Sequence, residues 1–225
     1  MALFFDLDGT LLDHSIAQNG GLAALGNFSP DIRNQLRDNF LHTWQESEIR
    51  HFTRYERGEI SIEEQRRARL KECFADFCAS LDDTALDNLY QIYLEGYRSS
   101  WSLYPDARDI LQKIPGPKAL ITNGDSKLQR AKIERLGLYD LFQGVYISGE
   151  VGVAKPDTRI FNKACSDLGL PAQHVSYIGD NFRNDIEGSA AAGLRPIWIN
   201  RDKAPRPSTN ISFREIHSLQ ELLIP

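Results

Sequence analysis

The chain has 225 residues, 41% of them hydrophobic and 25% charged, a globular composition with room for one large domain or two small ones. Lys and Arg number 26 against 31 Asp and Glu, so the formal charge is −5, and the net basic surface that a general nucleic-acid binder needs is not expected. No apolar run approaches the roughly 18 to 20 residues that cross a bilayer, and no charged-then-apolar leader precedes the first apolar run, so a soluble cytoplasmic protein is expected. The cysteines, Cys73, Cys78 and Cys165, show no disulfide or metal-type pairing and read as buried small apolar side chains in a reducing compartment.

Leu3-Phe4-Phe5 is a short apolar run that breaks into the turn Asp6-Leu7-Asp8-Gly9-Thr10, the pattern of a buried strand. From about Ser15 to Tyr104 the spacing is helical, with Ile32, Leu36, Phe40 and Trp44 four apart and Leu86, Leu89, Tyr90, Tyr93, Leu94 and Tyr97 on one stripe. Beyond Pro105 helices are predicted at Asp106–Lys113, Ser126–Leu136, Thr158–Leu168, Asp185–Ala192 and Ser218–Leu223. Strands are predicted at Lys118–Thr122, Val145–Ser148, Val175–Ile178 and Pro196–Asn200, and Asp202–Ser212 reads as a surface loop. Strands alternating with helices imply right-handed crossovers and a mostly parallel sheet covered on both faces. The first strand belongs with those after Lys118. The expected organisation is therefore an α/β core of residues 1–14 and 105–225, interrupted by a helical domain of residues 15–104.

In open parallel sheets ligands bind beyond the carboxyl ends of the strands. Those ends carry Asp6, Asp8 and Thr10, then Thr122-Asn123-Gly124, then Lys155-Pro156, then Gly179-Asp180 with Asp185. Converging carboxylates repel: two unit charges 4 Å apart cost about 4 kcal/mol at an effective dielectric near 20. Such a cluster calls for a cation, and an oxygen-only donor set suits Mg²⁺ rather than zinc.

Taken together, these segments in this order resemble the four motifs of the haloacid dehalogenase (HAD) superfamily of phosphotransferases, and the match spans nearly the whole chain. The insertion resembles that superfamily's type 1 helical cap and the core its Rossmann-like sheet. Asp6 would then be the nucleophile that forms an aspartyl-phosphate, and Asp8 the general acid and base, protonated near neutrality under the influence of neighbouring negative charge. Mg²⁺ would be held by Asp6, Asp180 and the backbone carbonyl of Asp8, with Asp185 orienting metal waters or Lys155. Lys155 would offset anionic repulsion, the Thr122 hydroxyl and the amides of Leu7, Asp8 and Asn123 would contact phosphoryl oxygens, Gly124 would let the backbone approach, and Thr10 would fix the loop.

Leu120-Ile121-Thr122-Asn123-Gly124 and the run from Ser148 to Pro156 are similar to the subgroup of pyrimidine 5′-nucleotidases and acylneuraminate 9-phosphatases. The resemblance implies a Mg²⁺-dependent phosphatase of a small phosphorylated metabolite, such as a nucleoside 5′-monophosphate or a sugar phosphate, without a nucleic-acid polymer or membrane as partner. A phosphosugar mutase and a catalytically silent phosphate-binding protein are the alternatives. A dehalogenase proper needs no general acid, so Asp8 argues against it. A receiver domain has no place for the insertion, and there is no GxxxxGK[ST] loop.

Other residues have plainer readings. His42, His51, His174 and His217 have no ligand spacing, whereas His14 either faces substrate or is a polar hinge residue. Trp44, Tyr90, Tyr93 and Tyr97 read as helical core. Arg50, Arg54, Arg57, Arg66, Arg67 and Arg69 read as a solvated face paired with Glu56, Glu59, Glu63 and Glu64. Gly20-Gly21 reads as hinge freedom or the end of a turn.

Overall fold

The computed structural model describes residues 2–37 and 39–223; Met1, Asp38, Ile224 and Pro225, which fall within the expected core and insertion, lie outside the described residues. The chain begins with β1 (Ala2–Phe5) and continues into helices α1 (His14–Phe28), α2 (Pro30–Gln35), α3 (Phe40–Glu56), α4 (Ile62–Cys73), α5 (Ala75–Cys78) and α6 (Asp83–Ser99). Next come α7 (Ala107–Lys113), β2 (Lys118–Thr122), α8 (Ser126–Arg135), β3 (Gly144–Ile147), α9 (Ser148–Val151) and α10 (Thr158–Asp167). β4 (Val175–Gly179), a π-helical turn (Phe182–Glu187), α11 (Gly188–Ala191), β5 (Arg195–Ile199), β6 (Arg214–Ile216) and a 3₁₀ turn (Leu219–Leu223) complete it. Residues up to Asp13 and from Ser102 onward form one compact unit; His14–Trp101 form the other.

The first unit is a parallel six-stranded sheet in the order β3-β2-β1-β4-β5-β6. Its central strands are apolar on both faces because helices cover both. On one face Ala2, Phe4, Ala119, Ile121, Val175 and Tyr177 pack with Ile160, Phe161, Ala164 and Cys165 of α10. Strand order reverses at β1, which pairs with β2 on one side and β4 on the other, with Phe5 level with both Leu120 and Ile178. The residues that follow β1, β2 and β4 therefore meet at the topological switch point.

Several boundaries differ from the sequence reading. The strand expected at Val145–Ser148 lies at Gly144–Ile147, because Ser148 already opens α9. The helix expected at Asp185–Ala192 is instead the π-helical turn Phe182–Glu187 followed by the short α11. Its wider winding accompanies a side chain turned inward: Asp185 is buried and bonds back to the Asn181 amide at 2.9 Å. β6 is an addition, three residues long, and its strand character comes from pairing with β5 rather than from local propensity.

The second unit is helical, with no strand among its described residues. The α6 stripe from Leu86 to Tyr97 is buried, and Trp44 Nε1 donates to the Tyr93 hydroxyl at 3.0 Å. The four-residue spacing of Ile32, Leu36, Phe40 and Trp44 does not mark one helix, since α2 ends at Gln35 and Asn39 adopts a left-handed conformation before α3. Gly20 and Gly21 are neither hinge nor turn: both lie inside α1, where a Cβ would overlap Ser100 and the Tyr93 ring, so they set the close approach of α1 and α6. Cys73 is only half-buried, whereas Cys78 and Cys165 are buried. The arginines are mostly paired, Arg67 with Asp83 and Asp87 and Arg50 with Glu72, but Arg69 is not solvated: it is buried over the Trp44 ring at 4.3 Å and bonded to Glu48 at 3.0 Å. His14 opens α1 and lies 3.3 Å from Glu48 and 3.2 Å from the Tyr97 hydroxyl.

Candidate active site

Asp6 is the first residue beyond β1, buried, with its amide bonded to Ile178 O at 2.9 Å, so the sheet itself fixes where its carboxylate begins. Lys155, 3% exposed, reaches the same place from the loop after α9. Its Nζ donates to Asp6 Oδ1 at 2.6 Å, Asp185 Oδ1 at 2.7 Å and the Tyr177 hydroxyl at 2.9 Å, so all three ammonium directions find protein oxygens. The Tyr177 hydroxyl in turn lies 3.0 Å from the Ile121 carbonyl. Asn123 anchors the lysine's backbone, accepting from Lys155 N at 2.8 Å and donating to Lys155 O at 2.9 Å.

Asp6, Asp180 and Asp185 each offer an oxygen within 4.8 Å of one another. Burial pushes the Asp6 carboxyl well above the usual carboxylate range; the Lys155 charge works against this, while Asp185 and Asp180 add to it. Burial also opposes the charge of Lys155, but Asp185 and Asp6 outweigh it and hold the ammonium above the usual lysine range. Asp6 and Asp185 share the Lys155 ammonium, and Asp180 stands beside them. An oxygen-only set of this kind fits a hard divalent cation such as Mg²⁺.

The loop after β1 is shaped for Asp180. Gly9 has φ +83, and a Cβ there would overlap the Asp180 carboxylate. Thr10 Oγ1 donates to Asp180 Oδ1 at 3.2 Å, and the Thr10 carbonyl accepts from Arg201 at 2.9 Å. Trp198 Nε1 holds the Asp180 carbonyl at 2.8 Å. Asp185 is buried and directed at Lys155 and the Asn181 amide.

Asp8 is held differently from the other acids. Lys132 Nζ donates to its Oδ1 at 2.6 Å and Gln129 Nε2 to its Oδ2 at 2.8 Å. Gln129 Nε2 also lies 2.6 Å from Thr122 Oγ1 and 3.1 Å from Asn123 O. Asp8 thus faces a cation here, whereas the sequence reading expected neighbouring negative charge to keep it protonated. Gly124 has φ +138, and its amide donates to Ser148 Oγ at 3.0 Å. Leu7 is buried within the loop.

Sequence reasoning missed Gln129, Lys132, Tyr177, Ser148 and Arg201. For the first two a signal existed: they sit three residues apart on the α8 face that also buries Ile133, where polar side chains need partners. Tyr177 looked like any strand aromatic.

Residues 1–193 match the family model described as haloacid dehalogenase-like hydrolase. The chain is 38% identical over 125 residues to pyrimidine 5′-nucleotidase YjjG of Escherichia coli, which is 53% of this chain and 56% of that protein, so the chain spans about half its length. It is 26% identical to human N-acylneuraminate-9-phosphatase, over 98% of this chain and 91% of that one. Among solved structures, the magnesium-bound HAD-hydrolase YfnB of Bacillus subtilis superposes with a TM-score of 0.82 at 26% identity, covering 98% of this chain and 96% of that one. With a match over most of its length and the motif residues gathered at the switch point of a parallel sheet, the chain is a hydrolase of the haloacid dehalogenase-like family.

Proposed function

We propose that this hydrolase is a Mg²⁺-dependent phosphatase of small phosphate monoesters that works through an aspartyl-phosphate on Asp6. The observation that carries the reading is the contact of Lys155 Nζ with Asp6 Oδ1 at 2.6 Å beside the Asp180 and Asp185 carboxylates. This is a nucleophile with its own counter-charge in a cluster that suits a divalent ion. Bound by Asp6, Asp180 and the Asp8 backbone carbonyl, the ion would supply positive charge that offsets repulsion between the Asp6 carboxylate and a phosphate dianion.

In the first step an Asp6 oxygen forms the new bond to phosphorus and the ester oxygen departs with its electron pair, taking a proton from Asp8, which faces Lys132 and would gain that proton as the phosphate dianion binds beside it. In the second, water attacks the phosphorus, Asp8 takes back a proton, and the bond to Asp6 breaks to release inorganic phosphate. Lys155 keeps Asp6 oriented and partly neutralised throughout. The Thr122 hydroxyl and the amides of Leu7, Asp8 and Asn123 stabilise phosphoryl oxygens, Thr10 steadies Asp180, and Asp185 orients Lys155. The substrate class follows the named relatives, a nucleotidase and a sugar-acid phosphatase.

The test is phosphate release from a panel of pyrimidine nucleoside 5′-monophosphates, sugar phosphates and 4-nitrophenyl phosphate, with Mg²⁺ and with chelator. Metal-dependent release from at least one ester is expected. No release from any of them would leave a binding role, and isomerised sugar phosphate in excess of free phosphate would indicate a mutase.

A further inference from the structure

We infer that Lys132 and Gln129 of α8 are positioning residues that set the Asp8 carboxylate for proton transfer; this rests on the reading of Asp8 as acid and base given above. Lys132 is 3% and Gln129 2% exposed, and a lysine is seldom held so deeply unless its charge is paired. Its ammonium donates to Asp8 Oδ1 at 2.6 Å, while Gln129 takes Oδ2 at 2.8 Å. Two donors on two different oxygens fix both torsions of a carboxylate whose side chain is otherwise 22% exposed.

The two donors are themselves fixed. They lie on a helix whose N-terminus is capped by Asp125, accepting from Leu128 N at 3.0 Å, immediately after the loop that ends β2. Gly124, in a backbone conformation open to glycine, allows the Gln129 side chain to lie against it. The amide that holds Asp8 also lies 2.6 Å from the Thr122 hydroxyl, so one rigid helix sets the proton donor and a phosphoryl contact together. Attack by Asp6 is arranged separately, by Lys155 and the sheet. Loosening Asp8 therefore impairs departure of the leaving oxygen more than attack on phosphorus.

Leaving-group dependence isolates this. 4-Nitrophenolate departs readily without a proton, whereas phenolate departs poorly without one, and the two esters are nearly the same size. Steady-state kinetics on 4-nitrophenyl phosphate and phenyl phosphate at saturating Mg²⁺ are compared for wild type, Asp8→Asn, Lys132→Met, Lys132→Gln and Lys132→Arg. The expectation is that Lys132→Met lowers kcat on phenyl phosphate about 30-fold more than on 4-nitrophenyl phosphate, with KM nearly unchanged, in the same sense as Asp8→Asn. Lys132→Arg is expected to restore most of the difference. Lys132→Gln, which keeps a donor in place of the charge, carries the same expectation in weaker form should Lys132→Met fail to fold. Equal losses on both esters in the Lys132 variants, beside a selective loss in Asp8→Asn, would overturn the positioning role. A non-selective Asp8→Asn would instead overturn the acid role of Asp8 and this inference with it.

Discussion

Lys155 Nζ and Asp6 Oδ1 are 2.6 Å apart in the interior of the sheet-containing unit, and the same ammonium also serves Asp185 at 2.7 Å. Replacing Lys155 with Met leaves buried carboxylates without their counter-charge. The expected result is a loss of about 3 to 5 kcal/mol in unfolding free energy by urea denaturation in the absence of metal, together with loss of turnover. An unchanged urea midpoint would show that the ammonium is not what neutralises the cluster.

Thr10 and Gly9 act on Asp180 from the loop after β1, one by a hydrogen bond at 3.2 Å and the other by leaving room for the carboxylate. Thr10→Val and Gly9→Ala are each expected to weaken Mg²⁺ binding about 10- to 100-fold, read by isothermal titration calorimetry. Wild-type affinity in both would separate Asp180 from the cation site.

Asp106 ties the C-terminal segment to the start of α7, accepting from Arg201 at 3.0 and 3.1 Å, Ser218 Oγ at 2.8 Å and Leu219 N at 2.8 Å. Burial acts to raise its pKa, but the bonds from Arg201, Ser218 and Leu219 outweigh it and hold the carboxyl below its ordinary value. A depressed folded pKa means that the stabilisation is fully present above the unfolded value near ~3.9 and is lost as pH falls through the folded one. Wild type should therefore exceed Asp106→Asn in stability by a constant margin from about pH 5 upward, and the margin should shrink below about pH 4. Melting curves across this range check the sign; a margin that grows on acidification contradicts it.

Within the helical unit, the buried Arg69 guanidinium stacks on Trp44 and bonds to Glu48 and the Tyr90 hydroxyl. Glu48→Leu removes its carboxylate partner and is expected to cost about 3 kcal/mol by chemical denaturation. The double variant Glu48→Leu, Arg69→Met should recover part of that loss, because no buried charge is then left uncompensated. Absence of any recovery would mean that Glu48 acts through its other neighbours.

Much of the sheet was legible because parallel strands buried on both faces read as short apolar runs, and because chemistry-bearing residues stand directly at their carboxyl ends. Asp6, Thr122 and Asp180 could be singled out for that reason, whereas Lys155 stands in the loop after α9, further from the end of β3 than the sequence reading placed it. The π-helical turn was not legible: its winding follows from an inward Asp185 bonded to distant Lys155, and local sequence says nothing of that. β6 escaped because its strand character comes from β5. The break between α2 and α3 escaped because the apolar spacing of four continues across it. Lys132 and Gln129 were visible as polar positions on a helix face but not as partners of Asp8, since 124 and 121 residues separate them from it.

The most direct test of the central claim is phosphate release by Asp6→Asn beside wild type, each with saturating Mg²⁺ and each with chelator, on an ester that wild type turns over. The amide keeps the shape of the side chain but is a far weaker nucleophile. Loss of metal-dependent release by about a thousandfold or more, with a cooperative thermal unfolding transition retained, is the result predicted. Metal-dependent release at a rate near that of wild type would mean that Asp6 does not form the bond to phosphorus.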